Sequence, residues 1–105
     1  MIIRIWHGYT NPERADSYQK LLTKEIFPGI ESKNIPGYQG IELLRRDLGE
    51  EIEFITIMRF EGWEGVEALS GDRSQAAYVP TSARRLLKRF DTISQHYERQ
   101  TMISY

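Results

Sequence analysis

Residues 51–60, EIEFITIMRF, put Ile52, Phe54, Met58 and Phe60 on one side of an extended chain and Ile55 and Ile57 on the other. Side chains alternate across a strand with period two, so this is a strand with two apolar faces. Residues 2–9, IIRIWHGY, repeat the pattern, with Ile3 and Ile5 facing one way and Ile2 and Trp6 the other. The period then changes. Ala15, Tyr18, Leu22 and Ile26 recur at helical spacing, with Leu21 widening the stripe and charged residues mostly outside it. Either a Thr10/Glu13 capping box or Asn11 as N-cap ahead of Pro12 opens this helix. Pro28 and Gly29 are expected to kink or break it near Phe27, with a short continuation to about Lys33 left open.

Beyond the turn at Ile35, Pro36 and Gly37, residues 38–46 read as a second strand that forms a hairpin with residues 51–60. Trp63, Val66 and Leu69 mark a short helix stopped by Gly71. A further helix starts at Thr81 or Ser82, where Ala83, Leu86, Leu87 and Phe90 fall at i, i+3, i+4 and i+7. Residues 91–100 make a last strand with Ile93 and Tyr97 on one face.

The order β-α-β-β-α-β is the split βαβ pattern of ferredoxin-like α+β folds, with an antiparallel sheet in the order 4-1-3-2, and residues 1–105 form one domain. Right-handed crossovers put both helical layers on one sheet face. Four strands of eight residues leave roughly 500 Å² bare on the other, more than monomers usually expose as one apolar patch. A second copy packed bare face to bare face about a twofold axis is the expected partner, giving a homodimer.

Composition narrows the function. Fourteen Lys and Arg against fifteen Asp and Glu give a net charge of −1, without the positive field that nucleic acid requires. The cations at Arg84, Arg85, Lys88 and Arg89 read as a solvated helix face ahead of an anion site. No cysteine is present, which excludes disulfides and cysteine-ligated metal. Neither a signal-peptide core nor a membrane-length apolar run is visible, and the chain reads as soluble and cytoplasmic.

Specific stretches resemble a known group: Arg4-Ile5-Trp6-His7-Gly8, Ile35-Pro36-Gly37-Tyr38-Gln39-Gly40, Glu53-Phe54-Ile55-Thr56, and the span from Phe90 and Asp91 to His96, Tyr97 and Glu98. These are similar to small proteins of the antibiotic biosynthesis monooxygenase superfamily. The resemblance implies a dimeric α+β barrel. It also implies one of several activities, among them oxidation of polycyclic phenols to quinones without metal or flavin, and haem degradation. The working set of the haem-degrading branch has no clear match: His7 stands near the place of its asparagine, Trp63 lies early in its helix, and Tyr78 is about where its histidine would be.

The expected activity is therefore a cofactor-independent monooxygenase-like reaction on an aromatic, phenolic or quinone-type molecule, with no cofactor and no metal. The competing class is a non-catalytic dimeric binding or interaction module. His7 is the candidate base, since an imidazole accepts a proton near neutrality, although a half-buried strand residue hydrogen-bonded to a neighbour is the reading that stands ahead of it. Trp63 and Tyr78 are the candidate substrate-binding wall of a pocket between helices and sheet, Trp63 having plain core packing as its alternative. Arg45 and Arg59 read as ion-pair partners of Glu42, Glu53 or Glu61. Metal-ligand spacing, a phosphate loop and a nucleophile elbow are all missing from the sequence.

Overall fold

The computed structural model describes residues 1–71, 77 and 79–105. Strand β1 (Ile2–Thr10) leads through a 3-10 turn at Pro12–Arg14 into helix α1 (Ala15–Leu21), a π-helical turn at Leu22–Ile26 and helix α2 (Phe27–Glu31). Strands β2 (Tyr38–Asp47) and β3 (Ile52–Phe60) follow, then helix α3 (Trp63–Ser70), the four-residue helix α4 (Thr81–Arg84), and strands β4 (Arg89–Phe90) and β5 (Gln95–Glu98). The sheet runs β2-β3-β1-β4, with β5 also on β1, and every pairing is antiparallel. This is the 4-1-3-2 order of the ferredoxin-like α+β fold expected from the hydrophobic pattern.

The even-numbered positions of β1 and β3 face the helices. Ile2, Ile52, Phe54, Met58 and Phe60 are buried there, in two clusters. One cluster seats Ile30, Ile35, Val66 and Leu69, and the other Ala15, Tyr18, Leu22, Ala83 and Leu87. Gly65 lets α3 sit close to the sheet, because a Cβ there would come within 2.6 Å of both the Phe60 ring and the Pro36 carbonyl. The odd positions Ile3, Ile5, Ile55 and Ile57 lie on the opposite, helix-free face. They are only half-buried, so the second apolar face read from the strand pattern is present and open.

Two elements differ from expectation, while the first helix takes the continuation past Pro28 that the sequence left open. The first helix does not break at Pro28; it widens into the π-helical turn just before it and continues to Glu31. Extra backbone in a π turn accommodates a residue that cannot donate to the ladder. Asn11 takes the N-cap place with Pro12 directly after it, without a side-chain cap bond.

The helix at Thr81 stops after four residues, and Phe90 lies in β4 opposite Gly8 instead of on its apolar stripe. Pairing with β1 outcompetes helix extension, as the Lys88 N–H bond to the Tyr9 carbonyl shows. The last strand begins at Arg89, ahead of the expected Asp91, and is interrupted at residues 91–94, where Asp91 bonds to β1. Its carbonyl accepts the Trp6 indole N–H at 2.7 Å and its N–H donates to the His7 carbonyl at 2.9 Å.

Candidate functional site

A cavity of about 50 Å³ lies between the helices and the helix-side face of the sheet. Its wall is mostly aliphatic and aromatic, with Trp6 from β1, Tyr18 from α1 and Phe27 from α2, and includes Val79 and Pro80. Polarity enters at Thr56, Ser94 and, above all, Arg4. Arg4 occupies the middle of an apolar strand face between Ile2 and Trp6 and is only 3% exposed. Burial lowers its pKa from the ordinary arginine value, yet a guanidinium starts so high that it keeps its charge at neutral pH.

β5 brings His96 directly across from Arg4 in the strand register. The two side chains meet with Arg4 Nη1 at 2.9 Å from His96 Nε2. Because a guanidinium can only donate, Nε2 is the acceptor and the neutral ring carries its proton on Nδ1. Burial, and secondarily the adjacent Arg4 charge, push the His96 pKa below the ordinary imidazole value, which keeps this neutral form in place. The Trp63 ring packs against the imidazole with centroids 5.4 Å apart. His96 Nδ1 is buried without a hydrogen-bond partner among the described residues. Tyr18 adds no base, since burial raises its phenol pKa far above neutrality.

His7 lies on the other side of the sheet. Its Nδ1 donates to Asp91 Oδ2 at 3.0 Å, and both side chains remain about one-third exposed on the open face. Trp63 packs against the cluster of Ile2, Met58 and Phe60 on the helix side. His7 and Trp63 are therefore separated by the sheet and do not converge on one cavity, and Tyr78 falls outside the described residues. Neither His7 nor Trp63 lines the cavity.

Arg59 pairs with Glu42 at 3.6 Å, as an ion-pair reading requires, while Arg45 pairs with Asp16 at 2.8 Å. Lys88 and Arg89 both meet Glu51, and the Arg89 bond holds that carboxyl below its usual pKa. Arg4 and His96 were not candidates from sequence. The available signal was the charge at Arg4 interrupting the Ile2–Trp6 face; the pairing with His96 depends on a register that spans almost the whole chain.

No family model and no curated protein matches the chain. Solved structures do. A proposed antibiotic biosynthesis monooxygenase from Bacillus cereus superimposes with a TM-score of 0.71 at 12% identity, over 99% of this chain and 97% of that one. The haem degrader MhuD from Mycobacterium tuberculosis, with two haems bound in its active site, gives 0.58 at 18% identity over 99% and 100% of the two chains. An arginine-to-serine variant of MhuD with two manganese protoporphyrins per active site gives 0.56 at 18% identity, over 100% of both chains. The chain thus has the ferredoxin-like α+β fold of antibiotic biosynthesis monooxygenase-type proteins.

Proposed function

We propose that the protein is a cofactor-independent monooxygenase-like enzyme that oxidises a phenolic or quinone-type aromatic molecule in the helix-side cavity. The observation that carries this reading is Arg4, a buried cation in an otherwise apolar, aromatic-lined wall. Transfer of the phenol proton to solvent water as the substrate enters gives an electron-rich phenolate. A fixed guanidinium in a low-dielectric site stabilises that anion much more than water-screened charge would. The phenolate then reduces dioxygen: a ring C–H becomes C=O, one oxygen atom enters the quinone and the other leaves as water. The four electrons lost by the phenol match the four that dioxygen takes up.

The cavity of about 50 Å³ is well below the roughly 300 Å³ or more of typical ligand pockets, so substrate entry requires its wall to move outward. Haem, the ligand of MhuD, fits this cavity poorly. A macrocycle far exceeds its volume, and of the chain's two histidines His96 has Nε2 engaged by Arg4 while His7 faces away.

Oxygen uptake with a panel of bicyclic phenols tests the reading directly. One dioxygen should disappear per phenol, without added metal or flavin. Absence of turnover across the panel would leave a non-catalytic binding module as the better description.

A second copy of the chain is the partner this reading requires. Ile3, Ile5, Ile55 and Ile57 form a helix-free apolar centre, with Leu44 and Tyr97 46% and 55% exposed beside it. Two such faces joined about a twofold axis bury each other. Ile57→Asp should convert a sedimenting dimer to a folded monomer at micromolar concentration, because it would bury a carboxylate in the apolar contact. A wild-type monomer under the same conditions would refute the pairing.

A further inference from the structure

We propose that His96 is a positioning residue for the anion site: it sets the plane of the Arg4 guanidinium against the cavity. The inference rests on the reading of Arg4 as the anion-binding group, and it assigns that group's orientation to a residue on a different strand.

Arg4 is flexible in principle, with a long side chain that loses considerable rotamer entropy when fixed. Its head is planar, with five N–H donors in one rigid fork. A directional bond to any one of them therefore fixes the aim of all the others. His96 Nε2 supplies one such bond at 2.9 Å from a strand that is itself paired to β1, with Arg4 and His96 opposite each other in the register. The imidazole is held in turn by the Trp63 ring, 5.4 Å away on α3. A chain of contacts thus runs from α3 through β5 to the one arginine that lines the helix-side cavity among the described residues.

The arrangement is specific in its chemistry. Only a neutral ring with a free lone pair on Nε2 can accept from a guanidinium. Burial and the Arg4 charge both favour that neutral form. An apolar side chain at position 96 would keep the volume and lose the aim, whereas a glutamine places a carbonyl oxygen at similar reach. Trp63, expected from the sequence to form a wall, acquires here a different task as the support behind His96.

The test is equilibrium binding of 2,4-dinitrophenolate, followed by its absorbance, to wild type, His96→Leu and His96→Gln, each checked for folding by circular dichroism. Wild type and His96→Gln should bind alike within about threefold. His96→Leu should bind about 10- to 100-fold more weakly, the range expected for losing one hydrogen bond to a charged group. Folded His96→Gln that binds as weakly as His96→Leu, or folded His96→Leu that binds like wild type, overturns the proposal while leaving Arg4 as the anion group. If His96→Leu does not fold, the glutamine variant alone decides: near-wild-type affinity supports the proposal and a tenfold loss overturns it. Wild type that neither binds this anion nor consumes oxygen with phenols overturns the parent reading instead.

Discussion

Replacing Arg4 with methionine should abolish oxygen consumption while the protein stays folded. The two effects separate because they draw on different terms. Arg4 is 3% exposed, and a buried charge exchanged for an apolar side chain of similar length is often neutral or stabilising, since its desolvation penalty disappears. Against this, His96 Nε2 loses its donor, at a cost of about 1–3 kcal/mol. The midpoint of denaturation should therefore move little. Catalysis has no such compensation: removing a fixed donor from a developing oxyanion costs about 100- to 1,000-fold in rate in well-studied sites. Arg4→Lys should fall between, retaining charge without the planar fork. Oxygen-electrode rates beside urea titrations make the comparison. Full activity in the methionine variant would remove Arg4 from the mechanism.

The largest stability loss should come from Phe54→Ala. Phe54 is completely buried at the centre of β3, packs edge-on against Tyr18 with ring centroids 4.9 Å apart, and has the Arg45 guanidinium 5.6 Å from its ring centroid. Truncation removes transfer energy and leaves a cavity between sheet and α1 that these neighbours cannot fill without leaving their own partners. The expected cost is about 3–5 kcal/mol. For a chain of this size each kcal/mol shifts the melting temperature by about 4–8 °C. Denaturant and thermal unfolding should show the loss together, and a change below about 1 kcal/mol would mean that the Phe54 contacts are not those of the folded core.

Such core positions were visible in the sequence because burial follows a local period. The alternation in residues 51–60 and 2–9 was sufficient to assign both sheet faces, and Gly71, with φ of 88°, ends α3 where a left-handed residue was expected. Local pattern failed where a nonlocal bond overrode it. Phe90 fits a helical stripe with Ala83 and Leu87, yet its backbone pairs with Gly8, more than eighty residues earlier. The candidate site followed the same division. His7 was conspicuous as a strand histidine, and its face could be read from the alternation; what could not be read is that Asp91 reaches it from the break between β4 and β5. The Arg4–His96 contact needed the register of β5 on β1, which no short window encodes.

The position of β2 at the free edge of the sheet bears on how many subunits can join. Its unpaired backbone would accept another strand, and such additions have no natural end, whereas face-to-face association closes at two. The sequence of β2 resists the first route. Glu42, Arg45, Arg46 and Asp47 load the edge with charge of both signs, and the register shift between Tyr38 and Gly40 interrupts the straight run of donors and acceptors that an incoming strand would need. The same charges that look like ordinary surface ion pairs thereby guard against fibrous growth, and leave association to the apolar face, where pairing closes at two.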